Sequence, residues 1–483
     1  MPVDSPTSPL DNFHSCTREW FRQAFDEPTR VQTEAWPPIA SRQSTLLLAP
    51  TGSGKTLAAF MSAIDRLFFD SPPTSKETSK TTTGVQVIYI SPLKALGVDV
   101  DRNLRAPIAG LRAFAERMEV PHHVPSVAVR SGDTTQRERL LITRHPPDIL
   151  ITTPESLYLM LTSKADSILT SVETIIVDEI HALAGTKRGT HLFTTLERLE
   201  HLRQKTTTES GAARQSLQRI GLSATQRPLE EIARLLGGGN ATADPATRVA
   251  PRPVQIVDAS EKRRFAVTIE TPAEDLQLAN EEDDIPIGNA ASAPTIPSVW
   301  PSIHPRLVEL IRQNRSTMIF VNSRRLAERL ATAINELAEE EIALAHHGSI
   351  AKDTRAIIED RLKRGDLPAM VATSSMELGI DMGAVDLVIQ IEAPPSIASG
   401  TQRIGRASHQ VGAVSTGIIF PKYRGDLAAC SAATGAMLNG WVEETKYPRN
   451  PLDVLAQQIV AMTCRDAISV DEIYATLQCR SIF

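Results

Sequence analysis

The sequence is poor in cysteine and aromatic residues and has no long apolar run, and these shortages exclude several classes of protein. Its 483 residues include four cysteines without a CxxC pair, so we expect reduced thiols in a cytoplasmic protein and no zinc site. No apolar run approaches the roughly 18 residues of a membrane span, and the first residues lack the cationic start and apolar core of a signal peptide. The net charge of −6 indicates no overall attraction to polyanions, although a local basic stripe can hold phosphates on an acidic protein.

Short apolar segments alternate with helical patterns along most of the chain. One set of segments lies between residues 45 and 225, and a second set lies between residues 316 and 421. The segments are apolar on both faces, which is typical of parallel strands covered by helices on both sides. The sequence therefore predicts an α/β protein with two tandem domains, each built on a parallel sheet.

Composition suggests where these domains begin and end. We expect a first domain at residues 1–250, a linker with an acidic insertion at 251–300, a second domain at 301–438 and a partial third domain at 439–483. The insertion is acidic, rich in Ala and Pro and without an apolar period, which is typical of a mobile segment. The last segment changes to a helical spacing of apolar residues.

The segment TLLLAPTGSGKT combines a predicted buried strand, a glycine loop and the start of a helix. Gly52, Ser53 and Gly54 allow backbone amides to converge on phosphate groups without Cβ atoms in the way, and the helix that follows adds its N-terminal dipole. Lys55 is expected to reach the β- and γ-phosphates of ATP, and the Thr56 hydroxyl to bind Mg²⁺. The segment therefore predicts a nucleotide site.

A second signal is an acidic pair that lies about 120 residues after the phosphate loop, at the end of the apolar strand TIIV. Asp178 is placed there to hold Mg²⁺, and Glu179 is placed to accept a proton from an attacking water. A DE pair after a strand is common, but together with the phosphate loop it predicts a nucleotide hydrolase.

Four short motifs, APTGSGKT, DEIH, SAT and QRIGRASH, resemble motifs I, II, III and VI of superfamily-two helicases in that order. Longer segments, SPLKALGVDVDRNL, DEIHALAGTKRGTHL, FVNSRRLAERL, MELGIDMGAVDLVIQ and RNPLDVLAQQIVA, are similar to the large helicase-related (Lhr) family. The resemblance covers nearly the whole chain. It implies two RecA-like domains that bind ATP between them and then a winged helix, so we expect a chain truncated inside the winged helix.

The resemblance also assigns roles around the nucleotide. Gln32 would bind adenine, an aromatic residue such as Phe25 would pack on it, and Asp381 would contact the ribose. Ser223 and Thr225 of the SAT motif would couple the ATP site to domain closure.

Motif VI would complete the ATP site. Arg403 and Arg406 are candidates for a cation that stabilises charge on the γ-phosphate, with Arg406 favoured, and Gln402 would position the water or the phosphate. The family's further arginine is replaced by His409.

Several residues in polar loop segments resemble the family's contacts to nucleic acid. Their hydroxyl, amide and cationic groups suit phosphate oxygens, although such residues also serve as helix caps and solvated charges. These candidates are Pro92, Lys94, Gly132, Thr153, Ser323, Arg324, Gly348 and Thr373.

The sequence thus predicts an ATP-dependent helicase or translocase with ATP and Mg²⁺ as cofactors. The family resemblance implies 3′-to-5′ movement on single-stranded DNA and unwinding of DNA or RNA–DNA duplexes in DNA repair. Two alternatives stay open: an RNA helicase that remodels ribonucleoprotein, and a nucleic-acid-binding module whose ATPase is uncoupled.

Overall fold

A computed structural model describes most of the chain and divides it into two units. The described residues are 8–50, 52–70, 84–210, 215–224, 226–241, 249–260, 264–271, 299–377, 385–407, 414–464 and 467–478. The first unit comprises Met1–Ser260 and Glu444–Phe483, and the second comprises Glu261–Glu443. The predicted acidic insertion lies almost entirely outside the described residues.

The first unit is built on a parallel sheet whose strands are short and mostly buried on both faces. Its strand order among the described residues is β3-β4-β2-β5-β6-β1-β9, and β7 and β8 form a separate antiparallel pair. The strands are β1 (Thr45–Leu48), β2 (Val87–Ile90), β3 (Val127–Arg130), β4 (Ile149–Thr152), β5 (Thr174–Val177), β6 (Gln218–Ser223), β7 (Gly239–Ala241), β8 (Val249–Pro251) and β9 (Gln255–Asp258).

Helices cover both faces of this sheet and form two apolar cores with it. They are α1 (Ser15–Ala24), α2 (Arg30–Ala40), α3 (Lys55–Phe69), α4 (Lys94–Arg117), α5 (Gln136–Arg144), α6 (Pro154–Leu161), α7 (Ile180–Ala184), α8 (Lys187–Ser210) and α9 (Leu229–Gly237). The predicted α/β class is therefore confirmed for this unit.

The second unit repeats the same architecture. Its parallel sheet has the order β10-β15-β14-β11-β13-β12, and helices pack on it around a further apolar core. The strands are β10 (Arg264–Ile269), β11 (Thr317–Phe320), β12 (Ala343–His346), β13 (Ala369–Ala372), β14 (Leu387–Ile391) and β15 (Val414–Phe420). The helices are α10 (Trp300–Gln313), α11 (Arg324–Ala338), α12 (Lys352–Arg364), α13 (Ile397–Ile404) and α14 (Arg424–Leu438).

The segment predicted as a linker, residues 251–300, differs from that expectation because it supplies a strand to each sheet. β9 pairs with β1 of the first unit, and β10 pairs with β15 of the second. Both strands lie at the edge of their sheets and are largely exposed, so they lack the continuous apolar run that marks the inner strands.

The C-terminal helices α15 (Leu452–Thr463) and α16 (Val470–Gln478) belong to the first unit, where both pack on α8. Gln458 on α15 is fully buried against α8. Its Oε1 accepts from Nη1 of Arg198 at 3.0 Å, and its Nε2 donates to the His191 carbonyl and to Thr195 Oγ1, both at 3.1 Å. Burial lowers the pKa of Arg198 to about 10, because removal from water disfavours the charged guanidinium.

Within the described ranges, each helix is either too short or too polar to span a lipid bilayer.

Substituting Gln458→Ala should destabilise the first unit by about 2–3 kcal/mol, because it leaves the buried Arg198 guanidinium without its side-chain acceptor. Urea unfolding followed by tryptophan fluorescence measures this change. The control is Gln457→Ala on the exposed face of the same helix, which should cost less than about 0.5 kcal/mol. Equal effects of the two substitutions would contradict the role of Gln458.

Candidate active site and nucleic-acid interface

The predicted phosphate loop connects β1 to α3 and contains two left-handed glycines. Gly52 has φ +81° and Gly54 has φ +83°, a conformation that strains residues with a side chain. Gly54 directly precedes α3, so the free amides of the first helical turn face the loop. Ser53 Oγ is buried and has no hydrogen-bond partner in the described part of the chain. The loop thus offers a set of donors that fits a phosphate group.

Lys55 and Thr56 begin α3 at this loop. Lys55 Nζ donates to the Ser223 carbonyl at the end of β6, at 3.3 Å, which uses one of the three ammonium donors. Thr56 is half-buried in the first helical turn. The structure therefore brings motif I next to the SAT segment; Thr225 lies outside the described residues.

Gln32 lies beside the phosphate loop because a capping box fixes it there. Its Oε1 accepts from the Thr29 amide at 3.0 Å, and Thr29 Oγ1 accepts from the Gln32 amide at 3.4 Å. Its Nε2 faces Gly54 so closely that a Cβ there would lie 2.7 Å away. Phe25 is 41% exposed and packs against two aromatic side chains of α1. Both predicted adenine contacts therefore belong to the N-terminal part of this unit, and Gln32 directly adjoins the loop.

Asp178 follows β5 and is held by two donors. Its Oδ1 accepts from the Glu179 amide at 2.8 Å, and its Oδ2 accepts from the hydroxyl of Tyr89 on β2. Burial and the charge of Glu179 raise the pKa of Asp178 to about 6, while Lys55 opposes this shift. Tyr89 is a site residue that the motif pattern missed. Its phenol, the one aromatic side chain inside the buried segment QVIYIS, was the signal that could have indicated it.

Glu179 has the left-handed conformation, with φ +47°. A residue with a side chain is uncommon in this region, and such strain concentrates at functional sites. Glu179 Oε2 lies 3.4 Å from Nδ1 of His181, and the same Nδ1 accepts from the Ala224 amide at 3.2 Å. His181 therefore joins the acidic motif to the SAT segment.

Arg403 on α13 is the centre of a buried network in the second unit and is 1% exposed. Its Nε donates to Glu377 Oε1 at 2.7 Å, and its Nη2 donates to the same oxygen. Its Nη1 donates to Asn322 Oδ1 at 3.0 Å and to Gln390 Oε1 at 2.9 Å, and the guanidinium lies over the Phe320 ring. Arg403 is thus hydrogen-bonded to three side chains of its own unit.

Arg406 is also buried and hydrogen-bonded within the second unit. Its Nη2 donates to the Glu377 carbonyl at 2.7 Å, and the side chain is 5% exposed. Gln402 is half-buried on α13. Asp381 and His409 lie outside the described residues.

The nucleic-acid candidates of the first unit follow three adjacent strands, β2, β3 and β4. Lys94 Nζ contacts Asp133 at 2.5 Å and would lie 3.2 Å from a Cβ on Gly132, so these two loops meet. Pro92 is buried before Lys94. Thr153 is also buried and caps α6 by accepting from the Ser156 amide at 3.4 Å. Helix capping is the alternative to phosphate binding for this residue.

The candidates of the second unit likewise follow three adjacent strands, β11, β13 and β12. Ser323 caps α11 by accepting from the Leu326 amide at 3.1 Å, and Arg324 donates to Ser349 Oγ at 2.7 Å. Gly348 has open space where a Cβ would point, and Thr373 is buried after β13. In each unit, the candidates therefore lie near the carboxyl ends of neighbouring strands.

Comparison with protein families places three domain models along this chain. They are the DEAD/DEAH box helicase at residues 29–232, the helicase conserved C-terminal domain at 303–410 and the winged helix domain of the large helicase-related protein at 435–483. These matches confirm two helicase domains followed by a winged-helix segment, while the domain boundaries given above stay predictions.

Named relatives match nearly the whole chain. A Mycolicibacterium smegmatis protein, Lhr helicase/probable uracil glycosylase, is 46% identical over 96% of this chain and 30% of its own length. The Lhr helicase/uracil glycosylase of Escherichia coli is 44% identical over 98% and 31%. The chain thus spans about a third of the length of these curated relatives.

Solved structures also match this chain, among them one that covers almost all of it. It is the Mycobacterium smegmatis helicase Lhr bound to ssDNA and AMP-PNP, with a TM-score of 0.80 and 46% identity over 98% of this chain and 56% of that one.

Substituting Arg403→Ala should destabilise the second unit by about 3–5 kcal/mol, because it removes one partner of a buried, hydrogen-bonded ion pair. The matched control is Arg364→Ala, which breaks an exposed ion pair with Asp360 and should cost about 1 kcal/mol or less. Chemical unfolding measures both variants. If Arg403→Ala were as stable as the control, the network would not hold this unit together.

Proposed function

This chain belongs to the large helicase-related (Lhr) family, and from that premise we propose that it hydrolyses ATP to move along single-stranded DNA. The observation that carries the proposal is that the phosphate loop, Asp178 and Glu179 lie together at the carboxyl ends of the strands of the first sheet. Relatives described as ATP-dependent helicases, and one relative bound to ssDNA and AMP-PNP, support the same reading.

The phosphate loop is proposed to bind the triphosphate of ATP. The amides at Gly52 and Gly54 and the free turn of α3 would donate to phosphate oxygens. Ser53 Oγ, which has no partner among the described residues, would bond to a phosphate oxygen. Lys55 would compensate the charge of the β- and γ-phosphates, and its bond to the Ser223 carbonyl keeps it in reach of this loop. Gln32 and Phe25 would bind the adenine, and Asp381 the ribose.

Thr56 and Asp178 are the side chains proposed to hold Mg²⁺, and they fit it because hydroxyl and carboxylate oxygens are its usual protein ligands. When bound, Mg²⁺ neutralises negative charge on the β- and γ-phosphate oxygens. The Tyr89 hydroxyl and the Glu179 amide fix the Asp178 carboxylate for this task.

Glu179 is proposed to accept the proton of the attacking water. The Asp178 carboxylate is held by the Tyr89 hydroxyl and the Glu179 amide, whereas the Glu179 carboxylate lies beside His181, so the two neighbouring acids take different roles. Through its contact with the Ala224 amide, His181 would couple nucleotide binding and hydrolysis at this site to the positions of Ser223 and Thr225.

Arg406 is proposed to supply the cation that stabilises charge developing on the γ-phosphate, a contribution of about 10³ to 10⁵ in rate in related chemistry. Arg403 stays a second candidate by sequence. Its buried network favours a structural role instead, because each hydrogen bond it makes within its unit would have to be broken. Gln402 would help to position the water or the phosphate.

The finer assignments are also proposals. The family resemblance supports 3′-to-5′ movement and unwinding of DNA or RNA–DNA duplexes, and relatives named Lhr helicase/uracil glycosylase support a role in DNA repair. The candidates grouped along each sheet edge would hold the strand through its phosphates: Pro92, Lys94, Gly132, Thr153, Ser323, Arg324, Gly348 and Thr373.

The assigned roles predict different defects for two substitutions. Lys55→Ala should abolish most ATP turnover and weaken ATP binding, because phosphate charge compensation is lost, whereas Glu179→Gln should bind ATP and stop hydrolysing it. Phosphate release and fluorescent-nucleotide binding measure the two effects. Glu116→Gln, at an exposed ion pair on α4, is the control and should turn over normally. Turnover near the wild-type rate in Glu179→Gln would exclude Glu179 as the base.

Steady-state ATP hydrolysis with and without added nucleic acid tests the proposed function itself. The whole chain is assayed with Mg²⁺ alone, with single-stranded DNA and with single-stranded RNA of the same sequence. Stimulation by DNA and not by RNA is the expected result.

Two other results would redirect the proposal. Stimulation by RNA alone would favour an RNA helicase that remodels ribonucleoprotein. ATP binding without stimulation by either strand would favour a nucleic-acid-binding module with an uncoupled ATPase.

A further inference from the structure

Two arginines lie close together beside the loop that follows β3, and neither belongs to a motif considered above. Arg130 is the last residue of β3, and Arg139 lies on α5. Arg139 Nη2 donates to the carbonyls of Ser131 and Gly132 at 3.3 and 3.1 Å, which directs its guanidinium back to the loop. Burial and the neighbouring Arg139 charge lower the pKa of Arg130.

Each arginine buries a donor that finds no acceptor. Within the part of the chain that the structure describes, Nη1 of Arg130 and Nε of Arg139 are buried without a hydrogen-bond partner. Buried donors are nearly always satisfied in folded proteins, so two of them beside one loop call for an explanation.

The nearby carboxylates do not supply the missing acceptor. Asp133 is paired with Lys94, and Glu138 accepts from the amide and hydroxyl of Thr135 in the capping box of α5. Two like charges side by side with unpaired donors cost stability, and an anion placed between them would remove both costs.

The position of the pair identifies the kind of anion. β3 lies next to β4, and β4 lies next to β2, in one parallel sheet. The loops after these strands therefore lie side by side at the carboxyl ends of the strands. Arg139 contacts the carbonyl of Gly132, which adjoins Lys94, and both of these residues are candidates for strand binding. The planar donor fork of arginine matches the oxygens of a phosphate group.

We propose that Arg130 and Arg139 form a site for one phosphodiester group of bound single-stranded DNA, next to Lys94 and Gly132. This assignment rests on the proposed function, because it takes the DNA strand as the ligand. It adds two arginines to the strand-binding candidates beside β3, the outermost strand of the sheet.

The test is Arg130→Gln, because Arg130 Nη1 has no hydrogen-bond partner within the described residues and the loop contacts of Arg139 do not involve Arg130 side-chain atoms. Binding of fluorescein-labelled oligo(dT) to the whole chain is measured by anisotropy over a salt series. We expect roughly tenfold weaker binding, and a salt slope reduced by about 0.7 for the lost phosphate contact. Arg130→Lys should recover the slope, because it restores the charge.

Arg112→Gln is the matched control. This exposed arginine, paired with Glu116, lies roughly 27 Å along α4 from Lys94 and should leave both the affinity and the slope unchanged. The thermal unfolding midpoint of each variant is recorded alongside.

The outcomes separate this site from the proposed function. If the wild type fails to bind oligo(dT), the proposed function fails and the site falls with it. If the wild type binds and Arg130→Gln binds equally well with the same slope, only the site is wrong. Weaker binding with an unchanged slope and a lower midpoint would make Arg130 structural, and a loss on oligo(rU) alone would overturn the assignment to DNA.

Discussion

Parallel pairing is the constraint on which the rest of this structure depends, because it brings the carboxyl ends of all strands of a sheet to one edge. In the first unit, the loops after β1, β5 and β6 hold the candidate nucleotide residues, and the loops after β2, β3 and β4 hold the candidate strand contacts. The strand order keeps the two groups in neighbouring halves of one sheet. A rigid platform therefore fixes the spacing between them, and the second unit groups its own candidates in the same way.

Sequence alone predicted the features whose chemistry is local. The phosphate loop needs glycines with positive φ directly before a helix, and an acidic pair must end a buried strand, so both are visible in a few consecutive residues. The capping box of Thr29 and Gln32 was not predicted, although its two partners are only three residues apart. The parallel sheets were predictable because their inner strands are buried on both faces and read as short apolar runs.

The features that sequence did not reveal depend on distant partners. The acceptors of Arg403 lie 13, 26 and 81 residues away, so the spacing within QRIGRASH could not separate a catalytic arginine from a buried structural one. Tyr89 meets Asp178 across 89 residues, and it was hidden inside an apolar strand. The edge strands β9 and β10, which lie within the segment assigned to a linker, were not predicted because neither has a buried run.

The contact between Arg198 and Gln458 has a consequence for how the protein is made on the ribosome. The two residues are 260 positions apart, and the entire second unit is encoded between them. At about 5–20 residues per second, synthesis separates them by roughly 13–52 s. During that interval the surface of α8 that later receives α15 is exposed on the nascent chain. The Arg198 guanidinium on this surface has no Gln458 acceptor, because Gln458 has not yet been synthesised. A chaperone that binds nascent chains would find this helix face available for as long as the second unit is being translated.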